Sequence, residues 1–315
     1  MVFCLNYLKG IVLDLSIVFA TYHNEEILQK SLESYCLIET EYEWELIIVD
    51  NANREETKRL VNKYKTKLPI HFIEKSEPGK NNALNKALPF INGNLIMFTD
   101  NDIIPNKNLI NHYINAANNY PEFDIFGSKI LPDITLPKWV DTSSASVRGA
   151  FGILDLGNED VEVDPVASIW GGNMMLRKAV FNQGFTFNGI IGPKGTNYTM
   201  GSESELLARL KTSGYKAMYV ANAVVKHQIR QEQLSISWLT KRSFRSGKGE
   251  GYQHEYNGVS KILGYPRYLI KVLCKDFMRV AKSLFSGKKL IICNAMMTLY
   301  HTAGLLNQSK ILDKK

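Results

Sequence analysis

The sequence predicts an α/β fold, with a mostly parallel, doubly wound sheet followed by a C-terminal helical appendage. Short apolar runs alternate with segments of helical periodicity between residues 16 and 98, and this alternation is typical of parallel crossover units. From residue 233 onward, basic segments with helical periodicity replace the short apolar runs. We therefore predict one domain at 1–232 and a basic, partly amphipathic helical region at 233–315, a division that the length of 315 residues allows.

The individual elements follow from the periodicity of the apolar residues. Strands are predicted at 16–20, 45–49, 70–74, 95–98 and 217–225, and helices at 27–35, 55–64, 83–88 and 202–210 and from about residues 177, 234 and 265. Residues 151–168 mix short apolar runs with Gly and Asp. This composition predicts irregular hairpins, which we expect to lie over the crevice at the carboxyl ends of the strands.

The fourth strand ends in the sequence GNLIMFTDND, in which Asp100 and Asp102 follow a continuous apolar run. Such a run predicts a strand that is buried on both faces. Its carboxyl end in an open α/β sheet is where ligands bind, and two carboxylates spaced i and i+2 can share one Mg²⁺ or Mn²⁺ ion. The alternative is an acidic turn that only ends the strand.

Polar side chains follow the other three N-terminal strands as well. Because the carboxyl ends of parallel strands meet at one edge of a sheet, we expect these side chains to line one crevice with the two aspartates. The predicted set is Thr21, Tyr22, Glu25, Asp50, Asn51, Lys80, Asn81, Asp100 and Asp102. Strand-end turn chemistry is the alternative for each of them. Neither GxGxxG nor GxxxxGK[ST] occurs, so a nucleotide would be held by metal and side chains.

The charge of the chain is unevenly divided. Residues 233–315 contain 15 Lys and Arg against 4 Asp and Glu, whereas the whole chain has 38 against 31. Four widely spaced cysteines, at positions 4, 36, 274 and 293, match no metal-ligand pattern and predict free thiols in a reducing, cytoplasmic setting. The N-terminus lacks a basic region before its apolar part, so we expect no signal peptide.

Seven segments together resemble family 2 glycosyltransferases of the GT-A fold, over about residues 15–250. They are SIVFATYHNE, IIVDNAN, GKNNALNKAL, GNLIMFTDND, WGGNMMLRK, GSESELLARLKTSGYKAMYV and HQIRQEQLSISWLTKRSFRSGKG, and they occur in the order of the family. The resemblance implies an inverting enzyme with a nucleotide-diphosphate-sugar donor and a divalent cation, Mn²⁺ or Mg²⁺. It makes 1–232 the catalytic domain.

The resemblance also implies roles for the crevice residues. Donor or nucleotide binding is assigned to Ala20, Thr21, Tyr22, Glu25, Asp50, Asn51, Lys80, Asn81, Asp100 and Asn101. Within this set, Asp50 resembles the aspartate that contacts the base, and Lys80 stands where many members carry a basic residue facing the diphosphate. Asp100 to Asp102 matches the DxD motif, with Asp102 as metal ligand and Asp100 on the ribose or sharing the metal. His227 occupies the position of a histidine that completes the metal or diphosphate site. A lone histidine near a strand end is otherwise more often structural.

Two further segments are implied to lie at the transfer site. Trp170, Gly171, Gly172 and Asn173 correspond to the segment beside acceptor and donor sugar, although a tight turn packed by a core tryptophan would have the same sequence. Gly201 to Leu206 (GSESEL) stands where members commonly have GEDxEL, whose Asp is the general base. Ser202 and Glu203 depart from that pattern. We predict Glu203 as the base with Glu205 as helper or substitute, and the alternative is that both carboxylates only stabilise a helix N-terminus.

The basic C-terminal region offers several interpretations. Lys241, Arg242 and Arg245 either reach the departing diphosphate or form a solvated helix face. Residues 265–306 predict either peripheral membrane contact through a basic amphipathic helix or a helical hairpin packed on the protein. No window is apolar enough to predict a spanning helix. No nucleic-acid-binding motif accompanies the charge, so we expect no nucleic-acid partner.

These observations favour transfer of a sugar, with a UDP-sugar as the expected donor, to a glycan or lipid-linked acceptor in surface polysaccharide synthesis. The enzyme is then expected in the cytoplasm or on the inner face of the membrane. One alternative is a non-catalytic protein that binds a nucleotide-sugar, because the GSESEL motif is altered. The other is a sugar-phosphate nucleotidyltransferase, but the glycine-rich N-terminal phosphate loop expected of that class is missing.

Overall fold

A computed structural model describes residues 13–75, 79–194, 197–254, 256 and 258–312 of the chain. The N-terminal segment for which no signal peptide is expected, including the Cys4 thiol, lies outside the described residues. Of the other predicted thiols, Cys36 and Cys274 are exposed and Cys293 is buried, and all three are free. Among the described helices, none combines the length and apolarity that a membrane span requires.

The described strands are numbered in chain order. They are β1 (Leu13–Thr21), β2 (Trp44–Asp50), β3 (Ile70–Glu74), β4 (Gly93–Thr99), β5 (Ile103–Pro105), β6 (Ile125–Pro132), β7 (Val161–Val163), β8 (Asn173–Arg177), β9 (Gly192–Lys194), β10 (Asn197–Thr199), β11 (Ala217–His227), β12 (Lys261–Ile262) and β13 (Tyr265–Pro266).

The described α-helices are numbered in the same way. They are α1 (Glu25–Tyr35), α2 (Glu55–Tyr64), α3 (Lys80–Ala87), α4 (Leu109–Asn119), α5 (Ala145–Phe151), α6 (Pro165–Ser168), α7 (Lys178–Asn182), α8 (Ser202–Thr212), α9 (Ile236–Gln253), α10 (Arg267–Leu284) and α11 (Lys289–Leu312). The five N-terminal and central strands predicted from the sequence are all present, as are the helices that were predicted to follow them.

The main sheet has nine strands in the order β3-β2-β1-β4-β8-β6-β11-β5, with β7 paired to β11. Strands β3, β2, β1 and β4 are parallel, whereas β8 runs antiparallel between β4 and β6. The chain order reverses between β1 and β4, and such a switch point is where open α/β sheets bind ligands. The predicted fold class is confirmed.

Strand β1 shows why both faces of the sheet are covered. Leu15, Ile17 and Phe19 belong to one buried apolar cluster, and Val18 belongs to a second cluster on the other face. Successive side chains of a strand point to opposite faces, so a continuous apolar run places a core on each side. Helices pack on both cores, as the predicted doubly wound arrangement requires.

The structure corrects the interpretation of two segments. Residues 151–168 contain β7 and α6 rather than hairpins, and β7 pairs with the distant β11. Residues 173–177, which follow Gly171 and Gly172, form the inner strand β8, for which no strand was predicted, whereas the helix predicted near residue 177 is present as α7. Short strands whose partners are far away in the chain give little local signal.

The chain divides into two compact units. The first contains residues 1–133, 152–190 and 202–228, and the second contains 134–151, 191–201 and 229–315. The nine-stranded sheet lies in the first unit, whereas α5, α9, α10 and α11 lie in the second. The predicted boundary after residue 232 stays a prediction, because the second unit also takes two earlier segments.

Helices α9 and α11 of the second unit pack with almost no space between their backbones. A Cβ on Gly247 would overlap the carbonyl group of His301, and a Cβ on Gly304 would overlap the carbonyl oxygen of Phe244. Glycine is therefore required at both positions for this close approach. Cys293 and Met297 of α11 are buried.

Candidate active site

The carboxyl ends of β1 and β4 meet at the switch point of the sheet. Asn101, directly after β4, donates a hydrogen bond from Nδ2 to Oγ1 of Thr21 at 3.2 Å. Thr21 is the last residue of β1 and pairs with Asp50, the last residue of β2. The structure therefore brings together the three strand ends that the sequence predicts at one crevice.

Lys80 lies at the centre of the charged part of this edge. Its Nζ donates to Oδ1 of Asp100 at 2.7 Å and to Oε1 of Glu203 at 2.8 Å. The Lys80 side chain is 19% exposed, and those of Asp100 and Glu203 are 37% and 22% exposed. Burial alone would lower the pKa of Lys80, but the charges and hydrogen bonds of the two carboxylates outweigh it and raise the pKa. Lys80 is therefore a stable cation between two carboxylates.

Helix termini and a glycine fix this geometry. Lys80 is the first residue of α3, after Gly79 with a positive φ of 143°, and Glu203 lies in the first turn of α8. Gly171 precedes β8, and a Cβ there would overlap Cγ, Cδ and Oε1 of Glu203. The glycine pair is thus explained in part by the close approach of the Glu203 side chain.

Asp102 and His227 form a second polar pair at the same edge. Strand β5 runs antiparallel to β11, and Ile103 pairs with His227, which places the two side chains together. The Nε2 of His227 lies 3.3 Å from Oδ2 of Asp102, and both side chains are mostly buried, at 15% and 17% exposed. Carboxylate and imidazole are both donors that Mn²⁺ accepts.

The described residues contain no group of three or more His, Cys, Asp and Glu side chains that could hold a metal ion by itself. The Oδ1 of Asp100 accepts a hydrogen bond from Lys80. A cation that keeps only one or two protein ligands and takes the rest from phosphates and water fits the Asp102 and His227 pair. The donor set therefore suits Mn²⁺ or Mg²⁺ together with a phosphate ligand.

The loop after β2 is organised by Asp50. This side chain is fully buried, and its two oxygens accept hydrogen bonds from the backbone N–H groups of Ala52 and Arg54 at 2.9 and 2.7 Å. Asn51 is also buried, and its Oδ1 makes no hydrogen bond within the described residues. The structure thus gives Asp50 a role in holding this loop, and its contact with a nucleobase stays a prediction.

The loop after β1 has an unusual backbone. His23 and Asn24 adopt positive φ angles of 60° and 65° directly before α1, a conformation that costs free energy in residues other than glycine. Tyr22 is 51% exposed beside them. Glu25 accepts a hydrogen bond from Thr57 at 2.9 Å. Strain of this kind is typical of ligand-binding loops.

Sequence reasoning missed two residues of this loop region. The Nη1 of Arg54 lies 2.6 Å from Nδ1 of His23 and 3.6 Å from Oε1 of Glu25. The pair joins the loops that follow β1 and β2. His23 lies inside the SIVFATYHNE segment and Arg54 directly follows IIVDNAN. These positions, within or next to segments that match the family, are the sequence signal that could have identified the two residues.

A comparison with known protein families identifies the family of the chain. The sequence model described as glycosyl transferase family 2 matches residues 16–185, which is more than half of the chain. The chain belongs to this family. It is therefore a glycosyltransferase, and the family assignment favours this activity over that of a nucleotidyltransferase.

Relatives of known sequence are distant. The glycosyltransferase is 23% identical over 243 residues to the glucosyl-dolichyl phosphate glucuronosyltransferase of Haloferax volcanii, with 75% of each chain covered. It is 25% identical over 158 residues to the chondroitin synthase of Escherichia coli, covering 49% of this chain and 22% of that protein.

Solved structures show the same fold at low identity. The mannosyltransferase PcManGT of Pyrobaculum calidifontis, in complex with GDP-Man and Mn²⁺, superposes with a TM-score of 0.54 at 14% identity and covers 98% of this chain and 78% of its own. Residues 1–349 of TarS from Staphylococcus aureus, in complex with UDP-GlcNAc, give a TM-score of 0.55 at 14% identity, with 92% and 91% covered. The glycosyltransferase therefore has the GT-A fold.

Two predicted site residues of the glycosyltransferase make structural contacts within the first unit. Asn173 is fully buried and donates to the carbonyl groups of Lys129 and Ala223 at 3.1 and 2.7 Å, while its Oδ1 accepts from Tyr113 at 2.6 Å. The prediction that Asn173 faces the acceptor is therefore wrong, because its hydrogen-bonding groups are used inside the sheet.

Glu205 is engaged in the same way. Both of its carboxylate oxygens accept hydrogen bonds from Arg209, one turn further along α8, at 2.9 Å. Arg209 in turn donates to the carbonyl group of Thr186. The role of Glu205 as helper or substitute base stays a prediction, and Glu203 is the carboxylate that contacts Lys80 at the strand ends.

The remaining predicted residues are described by their local surroundings. Ala20 is half-buried near the end of β1, and Asn81 is buried with its Nδ2 donating to the carbonyl of Asn188 at 2.7 Å. Trp170 packs on the core and donates to the carbonyl of Ala167 at 3.3 Å. In the second unit, α9 carries Lys241, Arg242 and Arg245. The contact of these three residues with the diphosphate stays a prediction.

Proposed function

We propose that this glycosyltransferase transfers a sugar from a nucleotide-diphosphate donor, preferably a UDP-sugar, to a glycan or lipid-linked acceptor. The observation that carries the proposal is the position of Lys80 between Asp100 and Glu203 at the switch point of the sheet. A cation beside two carboxylates of different predicted roles suits a site where a diphosphate leaves and a hydroxyl loses its proton. The structures of the same fold that carry UDP-GlcNAc and GDP-Man support this donor class.

The donor nucleoside is assigned to the loops after β1 and β2. Exposed Tyr22 offers an aromatic face beside the strained His23 and Asn24. The buried Oδ1 of Asn51 offers an acceptor at the neighbouring strand end. Thr21, Glu25 and Asp50 hold these loops in place, so the nucleoside meets a surface that is formed before it binds.

The diphosphate is assigned to Lys80, Asp102 and His227. The raised pKa of Lys80 keeps its ammonium group charged at neutral pH, and an ammonium group is a good phosphate ligand. Asp102 and His227 would hold Mn²⁺ or Mg²⁺, with Asp100 facing the ribose or sharing the ion. When bound, the metal ion would neutralise the charge that grows on the leaving diphosphate.

The transfer step is a single displacement with inversion. Glu203 accepts the proton of the acceptor hydroxyl while that oxygen forms its bond to the anomeric carbon. The bond between the anomeric carbon and the diphosphate oxygen breaks on the opposite face. Lys80 orients the carboxylate of Glu203 at 2.8 Å, and Gly171 leaves the space that this carboxylate occupies. No protein nucleophile is required.

The acceptor side is assigned to Trp170, Gly171 and Gly172, which precede β8 at the carboxyl end of β4. Lys241, Arg242 and Arg245 are assigned to the departing diphosphate. The distant relative from Haloferax volcanii is described as acting on glucosyl-dolichyl phosphate, which supports a lipid-linked acceptor. We place the activity in surface polysaccharide synthesis, in the cytoplasm at the inner face of the membrane.

A thermal-shift screen tests the proposal. The full chain is melted with UDP-sugars and with GDP-sugars, each with and without Mn²⁺, and release of the nucleotide is then assayed for any sugar that stabilises the chain. We expect a UDP-sugar to raise the melting temperature only when Mn²⁺ is present, because a ligand that binds only the folded state stabilises it. The proposal fails if no nucleotide-sugar stabilises the chain when Mn²⁺ is present. Tight binding without hydrolysis or transfer would favour the non-catalytic alternative.

A further inference from the structure

Helix α10 of the second unit has an apolar face that is open to solvent. Phe277 and Met278 are 67% and 57% exposed, and Leu284 and the capping residue Phe285 are 61% and 93% exposed. At 100° per residue these four side chains fall on one sector of the helix. We call these four residues the docking face. Large apolar side chains grouped in this way mark an interaction site.

The buried face of α10 is a different one. Leu269, Asp276 and Ser283 recur every seven residues and are buried. Asp276 accepts a hydrogen bond from Thr302 of α11 at 2.7 Å. The buried contacts of α10 with its neighbour therefore lie on a face of the helix other than the docking face.

A third face of α10 is basic. Lys271, Lys275, Arg279 and Lys282 follow one another at helical spacing and are exposed. Arg279 pairs with Asp276 at 2.8 Å, whereas Lys271, Lys275 and Lys282 form no salt bridge with any described residue. The helix thus presents uncompensated positive charge next to its apolar docking face.

We propose that the docking face binds the surface of an anionic lipid bilayer. Apolar side chains would enter the boundary between headgroups and acyl chains, and the neighbouring lysines would meet the anionic headgroups. Lysine stems can lie along the apolar boundary while their ammonium groups stay in water. The proposal does not depend on the transfer chemistry, so either can fail alone.

The proposal narrows the predicted membrane segment at 265–306. Much of the apolar surface of α11 is used inside the second unit, where Gly304 packs against α9 and Cys293 and Met297 are buried, and its exposed Ile291 and Tyr300, at 40% and 39%, are less exposed than the docking face. Membrane contact is therefore assigned to α10 and Phe285 alone. A second copy of the chain is a weaker occupant, because a symmetric interface would bring the two basic faces close together.

Vesicle flotation with the full chain tests the proposal. The vesicles contain phosphatidylcholine alone or phosphatidylcholine with an equal part of phosphatidylglycerol. We expect binding to the anionic vesicles only, and weaker binding as salt is added. The double variant Phe277→Ser/Phe285→Ser should bind at least about tenfold more weakly, and Lys271→Gln/Lys275→Gln/Lys282→Gln should lose about fivefold for each lysine.

Matched controls separate the docking face from general effects. Leu37→Ser/Phe90→Ser removes two exposed apolar side chains of the first unit, and Lys30→Gln/Lys63→Gln/Lys67→Gln removes three exposed lysines there. Both controls should bind vesicles like the original chain. The proposal is overturned if the original chain ignores anionic vesicles, if the controls lose as much as the α10 variants, or if the chain forms a dimer that Phe277→Ser/Phe285→Ser dissociates.

Discussion

The Nζ of Lys80 lies 2.8 Å from Oε1 of Glu203, although the two residues are 123 positions apart in the chain. The pair connects the N-terminus of α3 to the N-terminus of α8, and the same nitrogen also holds Asp100. The altered GSESEL motif therefore still delivers a carboxylate to the strand ends. The side chain of Glu203 is longer than that of the Asp in the common GEDxEL pattern, and the absence of a side chain at Gly171 leaves room for it.

Replacing Lys80 with Met tests the role of this cation. Without it, Asp100 and Glu203 repel each other and the diphosphate loses a charged ligand, so we expect kcat/KM for sugar transfer to fall about a hundred- to a thousandfold. Lys80→Arg keeps the charge and should retain more activity than Lys80→Met. The measurements are the transfer kinetics and the melting temperatures of both variants. If Lys80→Met transfers sugar as fast as the original chain, Lys80 has no role in the reaction.

Replacing Glu203 with Gln tests the base. The amide keeps the size of the side chain but cannot accept the acceptor proton, so kcat should fall about a hundred- to ten-thousandfold while the shift in melting temperature with donor is retained. Glu205→Gln is the matched control, because it loses only an i,i+4 ion pair worth about 0.3–0.5 kcal/mol. Near-normal transfer by Glu203→Gln with an intact fold would sink the assignment.

The sequence predicts which strand ends come together at the crevice, and the reason is local. In β1, β2 and β4 an apolar run stops at polar residues. The same short segment therefore predicts the strand, the edge of the sheet at which it ends and the candidate side chain at that edge. Asn173 shows where this fails: an amide after two glycines resembles a ligand contact, but its partners lie on β6, α4 and β11. The contact of Lys80 with Glu203 has no local signal either, since it exists only after the sheet has brought the two helix ends together.

Gly171→Ala is expected to act through Glu203. The new Cβ would overlap the end of the Glu203 side chain, which can move away, so the fold should survive with the carboxylate displaced. Gly172→Ala is the neighbouring control, because its Cβ would make only ordinary contacts at 3.4–3.7 Å. We expect kcat to fall at least about tenfold more in Gly171→Ala than in Gly172→Ala, since small displacements of catalytic groups are costly. Equal kinetics in the two variants would show that Gly171 does not position the base.

The metal assignment is tested by binding rather than by turnover. With Mn²⁺ and donor at about a hundred times its Kd, the original chain should gain about 2.7 kcal/mol of stability. Asp102→Ala and His227→Ala should lose most of this gain, and removal of Mn²⁺ by a chelator should abolish it in the original chain. Glu122→Ala, which removes an exposed carboxylate outside the candidate ligand set, is the control. An undiminished Mn²⁺-dependent gain in Asp102→Ala would place the metal site elsewhere.

Glu250 gives the second unit a defined dependence on pH. Its hydrogen bond with His301, at 3.2 Å, holds the pKa of the carboxyl below its usual value of 4.5, burial opposes this, and the charges of His301 and His254 add to it. A lowered carboxyl pKa contributes stability that is present above the pKa of the unfolded chain and is lost as the pH falls through the pKa of the folded chain.

Because Glu250 is half exposed, this contribution to stability should stay below about 1 kcal/mol. Glu250→Gln should therefore melt below the original chain at about pH 6, and the gap between their melting temperatures should narrow as the pH falls toward about 3. Calorimetric melts at the two pH values, with the exposed Glu41→Gln as control, measure this difference, and an equal gap at both values would mean that the hydrogen bond does not depend on the carboxylate charge.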